Sequence, residues 1–109
     1  MYLFHTLVSH LKPMAHTAED VEVNMGTIAE LANKVAYMAS DETTEEESDL
    51  VWTLNEATNP IERFWNYLAC GGTEPENFKD FEVASSQSVF QLIQRLIDHD
   101  EAHYGIEVG

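Results

Sequence analysis

The chain has 109 residues, of which 20 are acidic and 5 are lysine or arginine, so its formal net charge is -15 and its sequence pI about 4.3. The charged fraction of 23% is close to the average of about 25%, so the unusual feature is the scarcity of basic residues. Nucleic acids and anionic membranes bind proteins through clustered lysine and arginine, and this balance argues against both as direct partners. It favours a basic protein, a metal ion or a salt-rich cytoplasm as the counterpart of the charge.

Length and composition predict one folded domain over residues 1–109. Hydrophobic residues make up 44% of the chain, whereas disorder requires low hydrophobicity. Cys70 is the only cysteine, which excludes an intrachain disulfide and fits a reducing compartment. No apolar run approaches the roughly 20 residues of a membrane span, and the first residues lack a basic leader. We therefore expect a cytoplasmic protein, in the host cytoplasm if a phage encodes it.

The first half of the chain has the apolar periodicity of helices. Apolar residues between Leu3 and Leu11 share one helical face, and Pro13 ends that helix. Thr17 is suited to cap a second helix, which the spacing of apolar residues extends to about Ser40. Gly26 lies inside this helix and lowers its stability by roughly 1 kcal/mol relative to alanine.

Two further helices are predicted between residues 41 and 72. Thr43 and Thr44 each precede a glutamate by three residues, which is the capping-box pattern at the start of a third helix. Asn59 followed by Pro60 has the form of an N-cap and first helical residue, and it predicts the start of a fourth helix. The Gly71–Gly72 pair is suited to end it, since glycine readily adopts positive φ.

The last part of the chain predicts a connection and a final helix. Residues 73–82 are mostly polar but contain Phe78 and Phe81, and a short edge strand over residues 81–83 is compatible with the pattern. Ser85 or Ser86 is suited to cap the last helix, which ends by Gly105. Together these elements predict an all-α fold, a compact bundle of four to five helices in a single domain.

An acidic row is the first candidate functional feature. At about 100° per residue, five acids fall on one side of the third helix, whereas Glu47 lies toward the apolar side. The acidic row consists of Glu42, Glu45, Glu46, Asp49 and Glu56. Acids three or four residues apart in such a row are separated by about 4.5 to 6 Å along the helix axis. The row is therefore suited to occupy a basic groove that normally binds DNA or RNA, although a plain solvated helix face has the same pattern.

Trp52 is the second candidate, because its helical position falls among the acids. Asp49 lies three residues before it and Glu56 four residues after it. An apolar anchor inside a charged patch is typical of a binding hot spot. The alternative is that Trp52 packs under a neighbouring helix or under the connection that contains Phe78 and Phe81.

His99 and His103 are the third candidate, since residues four apart share a helix face and two histidines can bind a divalent metal. Asp100 stands where the general-base glutamate of a zinc-protease motif would be, and its side chain is shorter. A polar helix terminus without metal explains the same residues, with Asp100 and His103 paired in a partly buried corner. The sequence favours no metal and no cofactor, and His99 and His103 are the weak candidates for a metal.

No catalytic motif is present, and Cys70 at a helix C-terminus is a poor nucleophile because the helix dipole disfavours its thiolate. In charge, size and helicity the chain resembles small acidic inhibitors: phage proteins that mimic nucleic acid to block restriction enzymes or CRISPR effectors, and immunity proteins that cap nuclease toxins. The resemblance implies a non-enzymatic binding protein that occludes a basic, nucleic-acid-handling partner. Glu42, Glu45, Glu46, Asp49, Trp52 and Glu56 are the expected partner-binding residues. The competing hypotheses are a halophile-adapted helical subunit without a charge-based function, and a helical metal-binding enzyme using His99 and His103.

Overall fold

A computed structural model describes residues 3–38 and 43–104, the last of these by its backbone alone. Within these ranges the chain forms five α-helices and one short 3-10 turn, and no strand. The α-helices are α1 (Leu3–Leu11), α2 (Ala18–Val23), α3 (Met25–Met38), α4 (Glu45–Ala69) and α5 (Phe78–Tyr104), with the 3-10 turn at Lys12–Met14. The all-α prediction is confirmed. None of the described helices is both long enough and apolar enough to cross a membrane.

The second predicted helix is in fact two helices. Thr17 caps α2 as expected, because its hydroxyl accepts a hydrogen bond from the backbone of Asp20 at 3.1 Å. The helix then breaks at Asn24 rather than continuing through Gly26. The Asn24 side-chain amide donates to the Asp20 carbonyl at 2.8 Å, so it competes with the backbone for a helical acceptor. The prediction of one helix from 17 to 40 was therefore wrong.

The third and fourth predicted helices form the single helix α4. Its start is the capping box of Thr44 and Glu47, with both reciprocal hydrogen bonds present. Pro60 lies exposed inside the helix instead of beginning a new one. Leu54 and Ile61 on either side of it are buried in the same core, and this packing holds the helix together despite the hydrogen bond that proline cannot donate.

The end of α4 follows the prediction closely. Gly71 has a φ of 98°, a conformation that glycine adopts without the steric penalty of a side chain. Its N–H donates to the carbonyl of Leu68, and the N–H of Gly72 donates to that of Tyr67. These two bonds form a Schellman motif, which satisfies carbonyls left over at the end of the helix.

Helix α5 begins at Phe78, well before the predicted caps. Ser85 and Ser86 lie inside the helix, and the Ser86 hydroxyl donates to the carbonyl of Glu82 at 2.9 Å. The expected edge strand over residues 81–83 is also helical. Phe78 is buried and stacks on Phe64 of α4. This contact stabilises the added helical turns, and periodicity within one segment does not reveal it.

Helices α4 and α5 form an antiparallel hairpin that is the spine of the fold. Phe64 meets Phe78 at one end of the hairpin, and Glu47 meets His99 at the other. Helix α3 packs against the first half of α4, whereas α1 and α2 pack against α5. The described structure measures 49 × 27 × 17 Å, and at 1.5 Å per residue α4 and α5 are about 37 and 40 Å long. The core includes Phe4, Leu7, Val8, Leu11, Val21, Met25, Ile28, Val51, Leu54, Ile61, Val89, Ile93 and Leu96.

Candidate partner-binding surface

The acidic row lies on the solvent side of α4 wherever the structure describes it. Four of its members, Glu45, Glu46, Asp49 and Glu56, are exposed, and Glu42 lies outside the described residues. Helical geometry divides the four, because Glu46 lies about 100° around the helix from Glu45. Glu45, Asp49 and Glu56 share one narrow stripe, which we call the outer row. Glu45 and Glu56 are separated by about 16 Å along the helix axis.

The outer row has one basic neighbour on its own helix, Arg63, which follows Glu56 by two turns on the same stripe. Helix α4 carries neither lysine nor arginine before Arg63, and Lys34 is the one such residue on α3. Charges of one sign on a helix face reinforce each other's potential and attract cationic partners from a distance. The outer row is therefore a source of negative potential on the solvent side of α4.

Trp52 lies beside the outer row and is half-buried. Its ring meets that of Tyr37 on α3 edge to face, with the centroids 5.0 Å apart and the planes at 73°. Tyr37 is 72% exposed, and the next residue, Met38, is 61% exposed. Trp52 thus packs against a neighbouring helix and also borders the acidic face. Sequence reasoning missed Tyr37, because its proximity to Trp52 depends on how α3 and α4 pair.

His99 is buried between α4 and α1. Its Nε2 lies 3.1 Å from a carboxylate oxygen of Glu47, and its Nδ1 lies 3.4 Å from one of Glu46. Phe4 meets the imidazole edge to face at 5.2 Å between centroids. Glu47 is 1% exposed, so the prediction that it turns toward the apolar side is confirmed. Each ring nitrogen of His99 therefore faces one carboxylate.

The two histidines proposed as metal ligands are stacked rather than convergent. The rings of His99 and His103 lie 4.1 Å apart at 20°, and Nδ1 of His103 donates to the carbonyl of His99. Lone pairs in the planes of stacked rings run side by side and do not meet at one ion. In the described parts of the chain, no three His, Cys, Asp or Glu side chains are placed to hold a metal.

Asp100 pairs with α1 and not with His103, which corrects the pairing expected from the sequence. Nδ1 of His5 donates to the Asp100 carboxylate, 2.9 and 3.0 Å from its two oxygens. Asp100 is 2% exposed. It follows His99 by one residue, so it points about 100° away from α4 and toward α1. We call His5, Glu47, His99 and Asp100 the histidine cluster.

The histidine cluster joins three helices at one end of the fold. Each of its carboxylates faces an imidazole, and every buried side-chain nitrogen or oxygen in the described residues has a hydrogen-bond partner. These groups bind one another, so the arrangement fixes the ends of α1, α4 and α5. Cys70, which the sequence indicates to be a poor nucleophile, is exposed and lies at the C-cap of α4.

Comparisons with protein-family models, with curated proteins and with solved structures find no match to this chain. Its function has to be inferred from the charge, exposure and contacts of its own residues.

Proposed function

We propose that the protein is a non-enzymatic inhibitor that binds a basic partner and occludes the site where that partner holds nucleic acid. The observation that carries the proposal is the outer row, which is exposed next to the Tyr37–Trp52 pair and has no lysine or arginine between its members on α4. Carboxylates on a rigid helix can take the places of phosphates in a groove lined by lysine and arginine. The partner is therefore a nucleic-acid-handling protein, such as a restriction enzyme, a CRISPR effector or a nuclease toxin.

The two parts of the surface have different roles in this proposal. The carboxylates accelerate association by long-range attraction, and this contribution weakens as salt is added. The aromatic pair supplies apolar contact that salt does not screen, and aromatic residues are frequent hot spots of protein interfaces. Affinity should thus fall with ionic strength but not vanish.

The test measures displacement of DNA from candidate partners. Each partner, from a panel of a restriction endonuclease, a CRISPR effector and a nuclease toxin, is first loaded with fluorescently labelled DNA. The wild-type protein is then added, and anisotropy reports the release of DNA across a salt series. The diagnostic variant is Asp49→Lys/Glu56→Lys, which reverses two members of the outer row and leaves Glu46 and Glu47 beside His99.

The matched control is Asp98→Lys/Glu101→Lys, which reverses two exposed acids on the last turns of α5. Both variants shift the net charge by the same amount, so a difference between them reports location. We expect the outer-row variant to displace DNA at least tenfold less well at low salt, with a shallower salt dependence, and the control to change displacement much less. Equal loss in both variants, or no displacement by the wild type from any partner, contradicts the proposal.

A salt-adapted protein is distinguished by its folding. Self-repulsion in such a chain is relieved only by concentrated salt, so it unfolds in dilute buffer. The inhibitor proposed here should be folded at low salt, since attraction by charge is strongest there and requires the folded surface. A circular dichroism melting curve in dilute buffer that shows no cooperative transition would favour salt adaptation.

A further inference from the structure

An aromatic cleft lies at the opposite end of the α4–α5 hairpin from the histidine cluster. It has a volume of about 200 Å³ and is lined by Phe64, Pro75, Asn77, Phe78 and Phe81. Phe64 follows Glu56, the last member of the outer row, by about 12 Å along the axis of α4. The aromatic cleft is therefore a separate feature from the outer row.

Of the phenylalanine rings that line the cleft, that of Phe78 is buried and that of Phe81 is exposed. Phe64 and Phe78 stack with their centroids 4.7 Å apart, and Phe81 is tilted against both at 6.1 and 6.3 Å. Phe78 is 6% exposed, whereas Phe81 is 36% exposed. A ligand in the cleft would remove apolar ring surface from water, which is favourable.

The loop and the start of α5 beside the cleft are acidic, whereas α4 carries one exposed base, Arg63, just before the lining residue Phe64. Glu74 and Glu76 in the loop before α5, and Asp80 in its first turn, are all exposed. Lys79 is the only lysine or arginine from residue 73 to residue 94, and its Nζ lies 2.8 Å from Glu22 on α2. Two residues apart on a helix, Lys79 and Phe81 point in nearly opposite directions.

The ammonium of Lys79 thus forms an ion pair with Glu22 of α2. Its hydrogen bond to Glu22, and the charge of that carboxylate, raise the pKa of Lys79 above its ordinary value of 10.5. The Lys79 side chain is 70% exposed and its Nζ also lies 3.8 Å from Glu82, so its charge is shared between two carboxylates. Paired in this way, it offsets little of the negative potential on the side where the cleft opens.

We propose that the aromatic cleft binds an arginine side chain presented by a basic partner. The methylene stem of arginine packs among the phenylalanines, and its planar guanidinium stacks on a ring face. The exposed acids around the cleft favour the positive charge, and the side-chain carbonyl of Asn77 is a suitable acceptor for its N–H groups. A second copy of this chain fits less well, since two molecules that each carry -15 repel.

The proposal relies on the proposed function only in assigning the arginine to a basic protein partner. The test uses a small probe so that it can fail by itself. Acetyl-Gly-Arg-Gly-amide is titrated into the isotopically labelled protein, and NMR follows the Asn77 side-chain amide and the ring signals of Phe64 and Phe81. The lysine and glutamine tripeptides of the same form are the controls for bulk charge and for size.

We expect saturable shifts at the cleft with the arginine probe, weaker binding of the lysine probe and no response to the glutamine probe. Phe81→Leu should weaken arginine binding about two- to fivefold, and Glu76→Lys should weaken it while leaving the packing of the rings intact. The control Val83→Ala changes an exposed apolar residue that does not line the cleft, and it should bind like the wild type.

Three results would overturn the assignment. The first is equal affinity of the lysine and arginine probes, and the second is unchanged arginine binding by both Phe81→Leu and Glu76→Lys. The third is broadening of the cleft signals with protein concentration alone, which would place a second copy there. The outer-row variant Asp49→Lys/Glu56→Lys keeps the cleft, so it should still shift cleft signals with the arginine probe even if the outer row binds no partner.

Discussion

The imidazole of His99 faces two carboxylates in very different environments, and this contrast yields a quantitative prediction. The Glu47 side chain is 1% exposed with an oxygen 3.1 Å from Nε2, and the Glu46 side chain is 72% exposed with an oxygen 3.4 Å from Nδ1. Two double-mutant cycles compare them: Glu47→Gln with His99→Ala, and Glu46→Gln with His99→Ala. Each cycle isolates one carboxylate–imidazole interaction and subtracts the effects of the single changes.

The magnitudes follow from burial. A hydrogen bond to a charged group in a buried site contributes about 1.5–3 kcal/mol, whereas an exposed ion pair contributes about 0.2–1 kcal/mol. We therefore expect a coupling energy of about 2 kcal/mol for Glu47 with His99 and below about 1 kcal/mol for Glu46 with His99. The glutamine in place of Glu47 still accepts from the backbone N–H of Thr44, so the capping box largely survives the change.

The assay is urea unfolding followed by circular dichroism, with the free energy of unfolding extrapolated to zero denaturant. Domains of this size have about 5–15 kcal/mol of stability, so the variants should stay folded in the absence of urea. Adding salt should reduce the Glu46 coupling more than the Glu47 coupling, because buried pairs are screened less. A Glu47 coupling equal to or smaller than the Glu46 coupling would refute the reasoning that burial sets the strength of these bonds.

Three further predictions concern stability. Asp100→Asn weakens the bond to His5 and should cost about 1–3 kcal/mol, with faster hydrogen exchange in α1 than in α3; equal exchange in the two helices would contradict the role of this pair in holding α1. Pro60→Ala supplies the missing helical N–H at an exposed position and should raise the unfolding free energy by about 1–3 kcal/mol, seen as a higher melting temperature. Gly71→Ala places a side chain at positive φ and should cost about 1–2 kcal/mol in the same melting assay, whereas Gly26→Ala, inside α3, should stabilise.

The predictable part of the fold is what local chemistry determines. The start of α4 was predictable from Thr44 and Glu47, and its end from the Gly71–Gly72 pair, because caps depend on residues close in sequence. The interruption predicted at Pro60 was wrong, since burial of residues before and after it outweighs the lost backbone bond. The early start of α5 was missed for the same reason, as it depends on Phe78 reaching α4.

The same distinction between local and long-range interactions applies to the residues of the candidate surface and of the histidine cluster. Exposure of Glu45, Asp49 and Glu56 and burial of Glu47 follow from the periodicity of one helix. The Tyr37–Trp52 contact and the pairing of His5 with Asp100 join separate helices. Their sequence separations and residue types give no indication of the pairing, so only the packing of the bundle reveals them.

The positions of the histidines explain part of the acidity of the chain. Among the residues that the structure describes, the two most deeply buried carboxylates, Glu47 and Asp100, each face an imidazole. These two interior acids have a structural role, so neither salt adaptation nor partner binding is needed to explain them. The outer row differs, because it lies in solvent and contributes to self-repulsion.

Stability and binding together separate the two explanations of the outer row. If the excess charge is an adaptation to salt, reversing Asp49 and Glu56 has the same effect as reversing Asp98 and Glu101, since repulsion depends on total charge once it is spread over the surface. If the outer row is a docking surface, both variants gain similar stability in dilute buffer, but only the first loses affinity for the partner. A gain in stability without a loss of binding in either variant would therefore count against the inhibitor proposal even where the protein folds at low salt.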